Sequence, residues 1–136
     1  WTTWDPYPAL AEITRPAGVL VSGRGLLPGL SYLAATDAAI AAKRPVLQDF
    51  LQRVVKAQRW SYRNVDAFSA TLARIIGIPP EAAKLQFERR QQQWIPIDAQ
   101  VIADQQGTAD FYRQVGLIKQ PLDVKGTFDT GFGATA

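Results

Sequence analysis

Between Pro45 and Trp60 apolar side chains recur at Val46, Leu47, Phe50, Leu51, Val54 and Val55, at three- and four-residue intervals, with Gln58 next in register. That spacing predicts an amphipathic helix, and Pro45 suits its first turn, where a missing N–H costs nothing. Asn64 is placed to cap a second helix carrying Phe68, Leu72, Ile75 and Ile76, and Gly77 to end it in the left-handed conformation. Pro79-Pro80-Glu81 opens a third, which turns polar from Glu88 to Gln93 and is stopped by Pro96. Asp98 then caps a fourth with Val101, Ile102, Phe111, Tyr112 and Val115 as its expected inner face and Gly116 beyond its end.

The first third of the chain has a different pattern. Asp5-Pro6 followed by Ala9, Leu10 and Ile13 predicts a short helix, with Asp5 accepting from backbone N–H groups of its first turn and Pro8 still inside that turn. Gly18-Val19-Leu20-Val21, between Pro16 and Gly23, predicts a buried strand, and Leu30 to Ala35 a second, with a loop through Gly23, Gly25, Pro28 and Gly29 between them. Thr36-Asp37 caps a short alanine-rich helix after it. The tail from Leu122 to Ala136 is expected to be partly extended and loose at its close. The fold class expected is therefore α/β, mostly helical with a few strands. Two strands alone are marginal in water, so 18–21 and 30–35 are expected to pair with strands that these residues do not supply. No internal repeat or low-complexity linker interrupts the chain.

Composition narrows the chemistry more than the architecture. The chain has 136 residues, 47% of them hydrophobic and 20% charged, enough for one globular core. Fifteen Lys and Arg against twelve Asp and Glu give a net charge of +3, a slight preference for anions and no nucleic-acid footprint. There is no His and no Cys, which excludes Ser-His-Asp and Cys-His catalysis and zinc binding; no metal and no cofactor is expected. The uncharged stretch from Gly25 to Thr36 is too short, and too broken by Pro28 and Gly29, to span a bilayer. With no Met anywhere and Trp1 at its start, the chain is expected to be a processed form or a fragment, with any signal peptide upstream.

Three ordered segments resemble the sulfonate, nitrate and taurine branch of ABC-importer periplasmic solute-binding proteins, a branch that also includes the thiamine-precursor type. Trp4-Asp5-Pro6-Tyr7 is similar to the motif that opens a helix in the family's second lobe. Ser31-Tyr32-Leu33-Ala34-Ala35 is similar to its hinge strand, and Pro45 to Trp60 to the helix that follows. Residues 102–124 are similar to its ending, with Ala109-Asp110, Phe111-Tyr112, Gly116-Leu117-Ile118 and Pro121-Leu122-Asp123-Val124 at the family's intervals. The resemblance implies a fragment of a two-lobed, type II periplasmic binding fold. On it, residues 1–30 are the end of the second lobe, 31–36 the hinge crossing, and 37–136 a carboxy-terminal helical return into the first lobe. It further implies a small anionic ligand of the alkanesulfonate, taurine or nitrate class, permease subunits in a membrane as partners, the remaining amino-terminal half of the same protein, and a periplasmic or extracytoplasmic location.

A sulfonate is anionic at neutral pH and accepts hydrogen bonds without donating, so its receptor needs N–H and O–H donors, which helix amino termini provide, and an apolar wall. Trp4 stands just before a helix start, where an indole walls a cleft and donates its N–H; Trp1, Thr2, Thr3 and Tyr32 are the expected neighbours in a ligand site, and no catalytic residue is expected. The alternative for Trp1 and Trp4 is packing within the lobe. Asp5 reads as a helix cap, not half of an acid-base pair; Arg89-Arg90 read as a solvated face, and Trp60 and Tyr62 as core and cap contacts. No Gly-rich segment has the strand, spacing and lysine of a phosphate loop. Three functions therefore compete: a binding component of an importer, an enzyme on the same fold such as a desulfinase or thiamine-precursor synthase, and a self-sufficient helical interaction module.

Overall fold

In the computed structural model, which describes residues 1–26, 29–90 and 92–133, the order of elements is helical throughout. The helices are α1 (Tyr7–Thr14), α2 (Asp37–Arg63), α3 (Val65–Ile76), α4 (Pro80–Arg90) and α5 (Ala99–Gln114), followed by a 3-10 turn at Lys125–Thr127. They fall into two compact units, Trp1–Leu27 with Arg53–Gln93, and Pro28–Gln52 with Trp94–Ala136.

In the first unit α3 packs most extensively on α4, and α1 packs on α4 as well. The buried side chains of α3 are Ser69 and Ala73, one turn apart, and those of α4 are Ala82 and Ala83, so the buried faces of both helices are built from small residues. Small side chains let helix axes approach closely. Around them sits an aromatic group: Phe87 of α4 stacks on Tyr62 of α2 (ring centroids 4.7 Å, 24°) and meets Phe68 of α3 at 4.7 Å. Tyr62 is thus the core contact expected of it, and burial pushes its hydroxyl pKa up, against smaller opposing effects of a backbone bond with Gln92 and the charge of Arg90. Trp60 instead stays half exposed. Gly77 ends α3 at φ 71°, and its N–H and that of Ile78 both return to the carbonyl of Ala73. Asn64 precedes α3 without capping it; its side-chain amide donates back to the carbonyl of Trp60 at 2.9 Å.

The second unit is built on the first half of α2, on α5 and on the tail. The two helices expected at the start of α2 run together across a kink at Lys43 (φ −131°, ψ 23°). Pro45 supplies the reason, having no N–H to give and a ring that crowds the preceding turn. Thr36 caps α2 by accepting from the N–H of Ala39 at 3.2 Å, and Asp98 caps α5 by accepting from Val101 at 2.9 Å, both as the sequence predicts. Gln106 then takes the place of a neighbouring strand for the tail: its Nε2 donates to the carbonyl of Leu122 (2.8 Å), and its Oε1 accepts from the N–H of Val124 (3.1 Å). Val124 is buried beside it. Farther on, Gln48 Nε2 donates to the carbonyl of Gly133 at 3.4 Å, and the expectation of looseness at Ala134 to Ala136 lies outside the described residues.

Two expectations of the α/β class are corrected. Neither 18–21 nor 30–35 is a strand, and no strand occurs among the described residues. Leu20 is 98% and Val21 83% exposed, so the segment read as buried is open to solvent among the described residues. A strand is defined by its ladder, and the described residues offer these two segments no partner edge. The inner face expected for α5 is also only partly buried: Val101 and Ala109 are covered, whereas Phe111, Tyr112 and Val115 are exposed.

Candidate functional site

The residues singled out for binding fall in both units. Trp1, Thr2, Thr3 and Trp4 lead into α1 in the first, and Tyr32 lies in the extended segment before α2 in the second.

At the start of α1, Trp1 is 89% and Trp4 75% exposed, so neither indole is packed within its unit. Trp4 meets Tyr7 edge-on, with centroids 6.4 Å apart at 75°. Thr3 is half-buried and Thr2 exposed. The geometry changes which donors are on offer. A helix start usually leaves backbone N–H groups free for an anion. Here Pro6 and Pro8 have none, Tyr7 donates to the carbonyl of Trp4 (3.2 Å), Ala9 to Oδ1 of Asp5 (3.3 Å) and Leu10 to the carbonyl of Pro6 (2.9 Å). The first turn of α1 therefore offers an anion no free N–H from residues 6–10, and the side-chain donors at this place are the indoles and the threonine hydroxyls. Asp5 acts as the cap expected of it, and the Asp5–Pro6 peptide is cis.

One guanidinium secures this helix. Arg89, near the end of α4, makes a two-pronged bond to Glu12 of α1 (2.9 and 2.5 Å) and lies 3.9 Å from Oδ1 of Asp5. Arg89 is about 30% exposed and Glu12 about 23%, so the solvated-face reading holds for exposed Arg90 and not for Arg89. The hydrogen bond from Arg89 holds the Glu12 carboxyl below its usual range, helped by the guanidinium charge and opposed by burial.

In the second unit Tyr32 tilts against Phe128 of the tail (5.3 Å, 60°), and burial, with the charge of Asp104 second, pushes its hydroxyl pKa up. Phe128 also lines a shallow recess of about 400 Å³, together with Ala35, Ile40, Arg44, Thr127 and Asp129. Arg44 is already engaged there. It pairs with Asp129 and lies 4.4 Å over the ring of Phe132. The Asp129 carboxyl sits below its usual range, first because it accepts from the N–H of Gly131 and then because of Arg44. None of these recess residues was legible as a site, since Arg44 and Asp129 meet across most of the chain and neither belongs to a motif. Among the described residues no cluster of acidic side chains is arranged to hold a metal, and no helix is long and apolar enough to cross a membrane.

The chain is 29% identical over 127 residues to a protein of Escherichia coli (strain K12) described as "Putative aliphatic sulfonates-binding protein". The aligned part is 92% of this chain but only 40% of that relative, so the relationship is distant and partial. No protein-family model matches the chain, and no solved structure matches it significantly.

Proposed function

We propose that this chain is the carboxy-terminal portion of an extracytoplasmic solute-binding protein that delivers an aliphatic sulfonate, or a closely similar small anion, to an ABC importer, without catalysis. The observation that carries the reading is the alignment with the sulfonate-binding relative, which takes in nearly the whole of this chain and two fifths of the relative. The exposed segments 18–21 and 30–35 fit it, because each has the composition of a strand and lacks an edge to join. They also weigh against a self-sufficient helical module, which has no reason to present Leu20, Val21 and Leu33 to water. The remaining portion of such a protein supplies the missing strands and the other bank of a cleft, and lobe closure around the ligand supplies affinity.

On this reading the anion is met by the side-chain donors that lead into α1, the indole N–H groups of Trp1 and Trp4 and the hydroxyls of Thr2 and Thr3, and the indole faces wall its apolar tail. The test is calorimetric titration of the full-length protein with ethanesulfonate, taurine, nitrate and sulfate. Saturable binding of a sulfonate supports the proposal; no response to any of the four overturns it. The 136 residues alone, with one bank of the cleft, are expected to bind weakly or not at all, and sub-millimolar affinity in that fragment would contradict the two-lobed site.

A further inference from the structure

An eight-residue helix does not hold itself in water, and α1 has Ala9 as its one fully buried side chain among the described residues. Its direction therefore depends on what grips it from outside. The grip is visible in Arg89. Its planar fork meets both oxygens of Glu12 in the second half of α1, while one of its nitrogens faces Asp5, the residue that caps the same helix and directly follows Trp4. A single side chain thus touches α1 near both ends. Its own helix, α4, packs on α3 as well as on α1, so the anchor belongs to the main packing of the unit.

We infer that Arg89 is a positioning residue for the ligand wall: by clamping Glu12 and Asp5 it fixes the start of α1 and with it the indole of Trp4. This rests on the proposed function, in which Trp4 meets the ligand. Trp4 itself has few means of staying in place, being 75% exposed with one edge contact to Tyr7, itself a residue of α1. An aromatic wall left to swing loses affinity, because a binding group displaced by about 1 Å no longer meets its ligand.

The experiment uses the full-length protein labelled with 5-fluorotryptophan, the resonance of Trp4 being assigned by Trp4→Phe, with ethanesulfonate as the probe. In Arg89→Met the fluorine resonance of Trp4 is expected to shift or broaden while those of Trp60 and Trp94 stay, and the Kd for ethanesulfonate to rise about tenfold or more. The melting temperature should move little, since an exposed or half-exposed pair contributes little to stability. Glu12→Gln gives the same readouts with a smaller change of shape should Arg89→Met fail to fold. An unmoved Trp4 resonance in these variants overturns the inference, as does a moved resonance with unchanged Kd. Failure of the unaltered protein to bind ethanesulfonate, taurine, nitrate or sulfate overturns the proposed function instead, and is distinguishable because the Trp4 resonance reports on the clamp without ligand.

Discussion

The two units reach order by different means. In the first, the main packing is local: α3 and α4 are joined by Gly77 to Pro79, their buried faces are Ser69, Ala73, Ala82 and Ala83, Phe87 lies against Tyr62 and Phe68, and α1 from far earlier in the chain is added onto α4. In the second, the tail is bound by Gln106 to Leu122 and Val124, and to residues far earlier in the chain by Arg44 to Asp129 and by Tyr32 to Phe128. Local packing of an αα-hairpin is specified by patterning and caps. A folded-back tail is specified by individual polar side chains that pattern does not mark. The difference separates burial of surface from satisfaction of backbone groups as sources of order, and each should fail in its own way.

The largest effect is expected in the first unit. Phe87→Ala removes the ring shared by Tyr62 and Phe68 and should cost about 3 kcal/mol of unfolding free energy in denaturant titration. An effect below about 1 kcal/mol would mean that the aromatic group is surface decoration and that the small-residue seam alone orders α3 and α4. Next, Gln106→Ala leaves the N–H of Val124 and the carbonyl of Leu122 without their partner. It should cost about 1–2 kcal/mol and speed amide hydrogen exchange at Val124 while leaving α3 and α4 protected. Faster exchange spread over both units would break the comparison.

Acid should act on both units through different carboxylates. Glu12 in the first and Asp129 in the second have folded pKa values below their ordinary 4.5 and 3.8. A carboxyl whose pKa is lowered by folding adds stability that is present above its unfolded pKa and is lost as pH falls through the folded one. Stability should therefore decline once pH drops below about 4.5, and Glu12→Gln should flatten part of that decline; an unchanged slope would show that the Arg89 clamp contributes nothing to folding. The smallest effect concerns Ser69, whose hydroxyl is buried without a hydrogen-bond partner among the described residues. Ser69→Ala should be neutral or stabilising by up to about 1 kcal/mol, and a marked destabilisation would reveal a bond that the α3 and α4 seam depends on.

What the sequence made legible follows the same division. The helices from Pro45 onward, the caps at Thr36, Asp98 and Asp5, and the left-handed Gly77 came from spacing and local chemistry, which the structure repeats. The strands at 18–21 and 30–35 did not form, because β-branched composition states a capacity to join a sheet and only a neighbouring edge turns it into one. Phe111, Tyr112 and Val115 have the right period for an inner face and are left uncovered by the described residues. At the site, pattern led to Trp4 and Tyr32 as candidates and was silent on Arg89, Glu12 and Arg44. Arg89 looks like Arg90 in any window of sequence; only the arrival of α1 distinguishes them.

The central claim is that the chain belongs to a receptor for a small sulfonate, and titration of the full-length protein with ethanesulfonate, beside its Trp4→Ala variant, meets that claim most directly. The expected result is saturable one-to-one binding, weakened about tenfold or more when the indole is removed. Absence of binding in the unaltered protein would contradict the receptor reading, and equal affinity in the two proteins would remove Trp4 from the site.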